Sequence, residues 1–318
     1  MSILHVISVS GGKDSAATLL IALDRFRHDR VVPIFCDTGN EHDAVYEYLA
    51  YLEQALDIRI HRLRASFDEE IANKRWFIAR DRRTGRDKSG RRLRWSNKAK
   101  RRALAILRPT GNPYLDLCLW KGRFPSRKAQ FCTERLKRDP AVSFQLDLVD
   151  AGHTVVSWQG VRRDESPNRR NAMQFERIGP RMFAYRPLVE WTADKVFAYC
   201  AQRGIQPNPL YLQGCSRVGC MPCINVAKDE LRQIAVRFPE HVERISEWES
   251  MVGQASKRGV STMLCDGHDA KDRRKIFADL NIHARVEWSK TSRGGTQYDL
   301  LAGLIEPTAC ASSYGLCE

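Results

Sequence analysis

The opening part of this chain alternates short continuous apolar runs with longer stretches whose apolar residues return at helical spacing. Leu4-His5-Val6-Ile7-Ser8-Val9 and Val31-Val32-Pro33-Ile34-Phe35-Cys36 have strand length and many β-branched residues, the pattern of strands buried on both faces. Residues 16–23 between them read as a helix, and residues 43–56 as a second, with Val45, Tyr48, Leu49 and Leu52 at helical spacing. Residues 58–63 alternate and predict a third strand. This strand–helix–strand order predicts a mainly parallel sheet flanked by helices, with ligands at the carboxyl ends of the strands. Further on, residues 154–160 predict a strand ending in Gly160. Thr192 reads as the N-cap of a helix over residues 193–203 that stops at Gly204, and residues 229–257 as mainly helical.

Chemistry gathers where the predicted strands end. Ser10-Gly11-Gly12-Lys13-Asp14-Ser15 follows the first strand and opens the first helix. Paired glycines leave backbone amides uncovered, and the helix N-terminus, Lys13 and the hydroxyls of Ser10 and Ser15 converge on one spot suited to phosphate or pyrophosphate. Asp14 reads as a magnesium ligand or a helix cap. Asp37-Thr38-Gly39 closes the second strand, and Gly160-Val161-Arg162-Arg163-Asp164-Glu165-Ser166 follows the later one. These segments should face one pocket, with Arg162 and Arg163 on phosphate or sulfate oxygens. The alternative for the two arginines is a surface cluster paired with Asp164 and Glu165.

The chain has 318 residues and a formal net charge of +14. Residues 74–108 hold fifteen Lys or Arg against two acids, a net +13, so one segment carries nearly all the excess. It is expected to form a ribbon or long loop followed by a helix over residues 97–107. Arg75, Trp76, Arg91, Arg92, Arg94, Trp95, Lys98, Arg101 and Arg102 interleave cations with aromatic rings, as a DNA or RNA surface requires. The alternative is a solvated face or a mobile insertion. No apolar run approaches the ~20 residues of a membrane span, and the N-terminus lacks a secretory pattern, so a cytoplasmic protein without a membrane partner is expected.

Ten cysteines in such a setting argue for metal or redox chemistry rather than a disulfide framework. Cys36, Cys118, Cys200 and Cys265 sit among apolar neighbours or alone, as core thiols do. Cys215, Cys220 and Cys223 form a C-x4-C-x2-C run of the kind that holds zinc or an iron–sulfur cluster. Cys132 is the first choice for a fourth ligand, with Cys310 and Cys317 as competitors; spacing leaves zinc and [4Fe–4S] both open. Residues 290–296 read equally as a phosphate-contacting loop or a linker.

The segment Ser10–Ser15 resembles the PP-loop of the N-type ATP pyrophosphatases. With Cys36-Asp37-Thr38-Gly39, Phe131-Cys132 to Pro140, residues 160–166, Arg186-Pro187-Leu188 with Trp191-Thr192, and Asn208-Pro209-Leu210-Tyr211, it resembles the phosphoadenylyl sulfate (PAPS) reductase family of the adenine nucleotide alpha hydrolase-like superfamily. The cysteine run is also similar to the iron–sulfur segment of the ATP pyrophosphatases of DNA phosphorothioation, although its first two cysteines stand closer together. The resemblance implies a Rossmann-like sheet binding adenylate at its carboxyl edge, a [4Fe–4S] cluster, and an organisation with residues 1–212 as the nucleotide domain, interrupted by the basic insertion at about 74–108. Residues 213–318 would form a cysteine-rich, mainly helical part. Two activities follow as expectations: ATP- and Mg2+-dependent adenylation of an acceptor, nucleic acid, for sulfur incorporation from a donor protein; or thiol-dependent reduction of PAPS or adenylyl sulfate to sulfite, with Cys317 or Cys310 as nucleophile and a reductant protein as partner. A nucleic-acid-binding protein with a regulatory nucleotide site is a third.

Overall fold

The structure is a computed structural model and describes residues 2–88, 90, 92–165, 169–264, 279–292 and 297–298. Arg91, Ser166, Cys265, Cys310 and Cys317, and residues 293–296 of the 290–296 stretch, lie outside the described residues. The chain begins with β1 (Ile3–Ser8), α1 (Lys13–Arg25), β2 (Val31–Asp37), α2 (Asp43–Leu56) and β3 (His61–Arg64). Three helices follow, α3 (Asp68–Arg80), α4 (Asn97–Ile106) and α5 (Pro113–Lys121). Then come α6 (Asp139–Asp150), β4 (Thr154–Trp158), β5 (Phe175–Gly179), β6 (Met182–Tyr185), α7 (Ala193–Gln202) and α8 (Pro209–Leu212). Among the described residues the last helices are α9 (Lys228–Arg237), α10 (Pro239–Ala255) and α11 (Ile282–Ser289). Among the described residues no helix is long and apolar enough to cross a membrane.

The described residues divide into two compact units, each assembled from separated stretches: those within 2–64 with 136–220, and those within 65–135 with 221–298. The first is a Rossmann-like α/β unit around a six-stranded sheet in the order β3-β2-β1-β4-β6-β5. Every pairing is parallel except the edge hairpin β5–β6. β1 is central, with His5 opposite Val31 on one side and Val156 on the other. Burial on both faces explains its continuous apolar run. Val6, Ile34 and Val155 form a core cluster across these strands, closed by Phe144, Leu148 and Val149 of α6. α1 packs against α7, and its Leu19, Leu20 and Ile21 are buried. Each such side chain contributes about 1.5–3 kcal/mol relative to exposure.

Local signals set the ends of the elements. α2 spans the predicted residues, with His42 Nδ1 accepting the Ala44 N–H at 3.0 Å. The Thr192 side chain accepts the Lys195 N–H at 3.3 Å and starts α7 as expected. The third strand starts later than its alternation predicts. Glu53 takes the Ile60 N–H at 2.7 Å and grips Arg62 at 2.8 Å, so the stretch before His61 is tied to the end of α2 rather than to the sheet.

The second unit is mainly helical, with α10 packed on α4, α5, α9 and α11, and Tyr114 stacked on Trp248. Here the expected ribbon is corrected. Residues 75–80 belong to α3, whose acidic first turn (Asp68, Glu69, Glu70) and basic last turn suit the helix dipole. Ile71 and Ile78, one heptad apart, are its fully buried anchors. α4 forms where predicted, capped by the Ser96 hydroxyl on the Ala99 N–H at 3.2 Å.

Candidate functional site

In the first unit the Ser10–Ser15 loop sits at the carboxyl end of β1 and feeds directly into α1. Gly11 has φ +75°, a conformation that favours glycine. Gly12 is the N-cap of α1 and provides no side-chain cap, so the helix start presents amide donors and positive dipole to whatever lies beyond it. The Ser15 hydroxyl holds the loop shut from inside, donating to the Gly12 carbonyl at 2.8 Å and accepting the Ser10 N–H at 3.0 Å. The Ser10 hydroxyl lies 3.3 Å from it.

Two residues nearly 200 positions downstream complete the loop. Asn208 is buried and donates to the Gly11 carbonyl at 3.2 Å and the Ala44 carbonyl at 3.3 Å. The Tyr211 hydroxyl accepts the Lys13 N–H at 3.1 Å. The Lys13 ammonium lies over the Tyr211 and Phe197 rings, 5.3 and 5.7 Å from their centroids. The run containing Asn208 and Tyr211 stands out in the sequence, but nothing local to it reveals that it clamps a loop at the other end of the chain.

Gly160, after β4, approaches the start of α1 so closely that a Cβ there would lie 2.9 Å from the Asp14 carbonyl carbon and oxygen. This approach delivers Arg162 to the loop. Arg162 is 4% exposed, donates from Nε to Asp14 Oδ1 at 2.6 Å, and grips Asp164 at 2.6 and 2.7 Å. Lys13 Nζ lies 3.4 Å from Asp14 Oδ2. Two cations and two carboxylates thus alternate in one chain of contacts. The neighbouring Arg163 has different partners: Glu190 and the Ala172 carbonyl, the latter at 2.8 and 3.1 Å.

At the end of β2, Asp37 Oδ1 accepts the Gly39 N–H at 2.9 Å and the Tyr46 hydroxyl at 2.8 Å, while Arg64 lies 3.9 Å from Oδ2. The Thr38 hydroxyl donates to the carboxylate of Glu41, a buried residue missed from the sequence, at 2.7 and 2.8 Å. That carboxylate also accepts the backbone N–H of Thr38 and of Asn40. Burial first, then Glu41 and Asp37, push the Tyr46 phenol well above its ordinary range, so it remains a donor.

Cys220 belongs to the same unit. Its Sγ lies 3.4 Å from Thr38 Oγ1 and 3.8 Å from Glu41 Oε1, and its backbone pairs with Glu41 in an isolated antiparallel bridge. Cys215, buried, donates its N–H to the Leu210 carbonyl at 3.0 Å. Cys132 and Cys223 fall in the second unit, where Cys223 Sγ accepts the Asn225 N–H at 3.5 Å. Among the described residues no cysteine is joined in a disulfide. Burial raises the Cys36 thiol to about 11 and, with Asp14 nearby, the Cys200 thiol to about 12, as befits core thiols rather than nucleophiles.

The basic segment lies wholly within the second unit. Several of its cations are engaged by backbone there. Arg75 donates to the Leu104 and Leu107 carbonyls at 2.7 and 2.6 Å, and Arg102 to those of Gln254 and Ser256 at 3.1 and 2.8 Å. Trp95 is 8% exposed. Arg92, Arg94, Lys98 and Arg101 are exposed, and Trp76 is 60% exposed.

Against known proteins, residues 4–226 match the family model described as the phosphoadenosine phosphosulfate reductase domain. An uncharacterized 37.8 kDa protein in the gpa 5′ region of Escherichia phage 186 is 43% identical, with the alignment covering all of this chain and 97% of that protein. An adenosine 5′-phosphosulfate reductase of Geobacillus kaustophilus is 34% identical over 109 residues, 32% of this chain and 46% of the relative. Among solved structures, the phosphate complex of phosphoadenylyl-sulfate reductase from Candida auris aligns with a TM-score of 0.41 at 16% identity, covering 69% of this chain and 81% of that one.

Proposed function

For a chain that belongs to the phosphoadenosine phosphosulfate reductase domain family, we propose the activity of an ATP pyrophosphatase that adenylates an acceptor, a nucleic acid, ahead of sulfur incorporation. An acceptor oxygen attacks the α phosphorus of ATP, and its proton passes to solvent. The bond from that phosphorus to the bridging oxygen breaks, and pyrophosphate leaves with the electron pair. The observation that carries this reading is the start of α1. Gly12 leaves the helix without a side-chain cap, with Lys13 behind it and the loop locked by Ser15, Asn208 and Tyr211. A pyrophosphate seated there would gain the helix dipole and Lys13 as its charge develops.

Asp14 holds Arg162 and Lys13 in place through the contacts at 2.6 and 3.4 Å. An incoming phosphate would draw these cations from the carboxylate toward its own oxygens. Since Asp14 is already balanced by two cations, magnesium arriving on the triphosphate fits better at Asp37, where it would screen phosphate charge. Within this proposal Cys132, Cys215, Cys220 and Cys223 would hold a [4Fe–4S] cluster, with zinc as the alternative. Cysteine sulfur is a soft donor that suits either. The cluster would supply redox capacity or a structural staple. Sulfide-level sulfur from a donor protein would then attack the adenylated centre of the acceptor, and AMP would leave with the electron pair of the broken bond.

The test is pyrophosphate release from ATP by anaerobically purified protein, with and without DNA or RNA. Release that rises with nucleic acid and is lost in Lys13→Ala is the expected result. Sulfite from PAPS or adenylyl sulfate with a thiol reductant, and no pyrophosphate from ATP, would replace this reading with the reductase one.

A further inference from the structure

The basic segment bears a local arrangement that narrows the kind of nucleic acid. Trp76 and Phe77, on the last turns of α3, are 60% and 42% exposed. A large ring left in water is informative when something organised surrounds it, and here each ring has a guanidinium over one face. Arg80 lies 4.7 Å from the Trp76 ring centroid, and Arg83 lies 4.8 Å from that of Phe77.

Arg83 is fixed in that position. It donates to Asp81 at 2.8 and 3.3 Å and to the Leu93 carbonyl at 2.8 Å. Asp81 is buried and also accepts the Trp95 N–H at 2.8 Å. The Arg83 guanidinium, with the Trp95 and Arg83 amides, holds the Asp81 carboxyl well below the usual carboxylate range, so it stays ionised beneath the arginine. Lys100 donates to the carbonyls of Asp81 at 3.0 Å and Ala79 at 3.4 Å, tying the end of α3 to α4. The arginine behind Phe77 is therefore held in advance of any ligand, and Arg80, one turn along α3 from Trp76, covers one face of that ring. As adjacent helical residues the two rings point roughly 100° apart, a spacing for two successive flat groups rather than one.

Resting on the reading of the basic segment as a nucleic-acid surface, we propose that this end of α3 is a stacking platform for unpaired bases, and that the polymer it takes is single-stranded. A base laid on the open face of Trp76 completes an arginine–ring–base stack, which tolerates any sequence because every base has a π face. Paired bases inside a duplex are already stacked on one another and cannot reach the rings. The exposed Arg82, Arg86, Arg92 and Arg94 then meet the phosphates, where strand and duplex alike would bind.

The experiment compares a labelled 20-nucleotide oligo(dT) with a 20-base-pair duplex by fluorescence anisotropy on the full chain. Both probes are also titrated against the Trp76→Ala/Phe77→Ala protein and followed across salt. Wild-type protein is expected to bind the single strand at least about tenfold more tightly. The double variant should lose about tenfold or more of that affinity, keeping its duplex affinity and its salt slope. Oligo(dT) should also quench tryptophan emission in the wild type and quench it less in Trp76→Phe, a variant that preserves an exposed ring. Equal strand binding by wild type and double variant, or a wild-type preference for duplex, overturns the platform while leaving the nucleic-acid reading intact. No binding of either probe at low salt overturns both.

Discussion

The loop after β1 and the basic segment both gather charge, and they arrange it in opposite ways. At the loop, Lys13, Asp14, Arg162 and Asp164 alternate in sign over contacts of 2.6 to 3.4 Å. Arg162 is nearly inaccessible there. In residues 74–108 the net charge is +13, yet many cations are turned inward. Lys74, Arg75, Lys100 and Arg102 all donate to backbone carbonyls of their own unit. Helix C-termini leave carbonyls without partners, and cations nearby satisfy them and the negative end of the dipole. A charge count therefore overstates the surface offered to a polyanion, whereas a neutral, paired site understates what it can release to an incoming anion.

The largest effect that separates the two regions is expected from single arginine deletions. Arg162→Ala strips Asp14 of the more buried of its two cations, leaving Lys13 at 3.4 Å, and should lower unfolding stability by about 3 kcal/mol. Arg94→Ala, on an exposed position, should change it by no more than about 0.5 kcal/mol. Urea denaturation of the two variants checks the contrast; similar losses would mean that the regions do not differ as described.

Next in size is Asn208→Ala. It removes donors from the carbonyls of Gly11 and Ala44 and an acceptor from the Leu210 N–H, which lies 3.0 Å from Oδ1. A cost of about 1–3 kcal/mol is expected, together with weaker ATP binding by calorimetry, because the loop loses its clamp. Unchanged nucleotide affinity would show that the loop holds its shape without Asn208.

The smallest effect concerns Glu249 in the second unit, whose carboxylate accepts the Met263 N–H at 2.8 Å and the Ile282 N–H at 2.9 Å. Burial pushes its carboxyl up to about 7 from an ordinary 4.5, against the pull of those two amides. A raised folded-state value means that the stability linked to protonated Glu249 is complete below about 4.5 and lost as pH rises through about 7. Glu249→Gln should flatten the fall in Tm between pH 5 and 8, at a general cost of about 1 kcal/mol because one amide loses its oxygen acceptor. A variant with the wild-type pH profile would assign that fall to another group.

How much of this was legible in the sequence follows from the range of the forces involved. The parallel order of β1, β2 and β4 and the bounds of α2 follow from neighbouring residues. So does the carboxyl-edge position of Ser10–Ser15, Asp37–Gly39 and Gly160. Glu41 was missed because its partners, Thr38 and the Cys220 thiol, become meaningful only after the fold brings Cys220 to the end of β2. Asn208 and Tyr211 escaped assignment because their targets lie nearly 200 residues away. The ribbon expected near Arg75 failed because the glycines and arginines that suggest it outweigh a sparse helical stripe of Ile71 and Ile78, and only packing reveals that this stripe anchors α3.

The most direct test of the central proposal is which phosphate bond of ATP the protein cuts. Phosphorus NMR of the reaction, run anaerobically with magnesium and single-stranded DNA, resolves the products. Pyrophosphate, matched by adenylylated acceptor or AMP and absent with Lys13→Ala, is the predicted result. ADP with inorganic phosphate, or unchanged ATP, would contradict it.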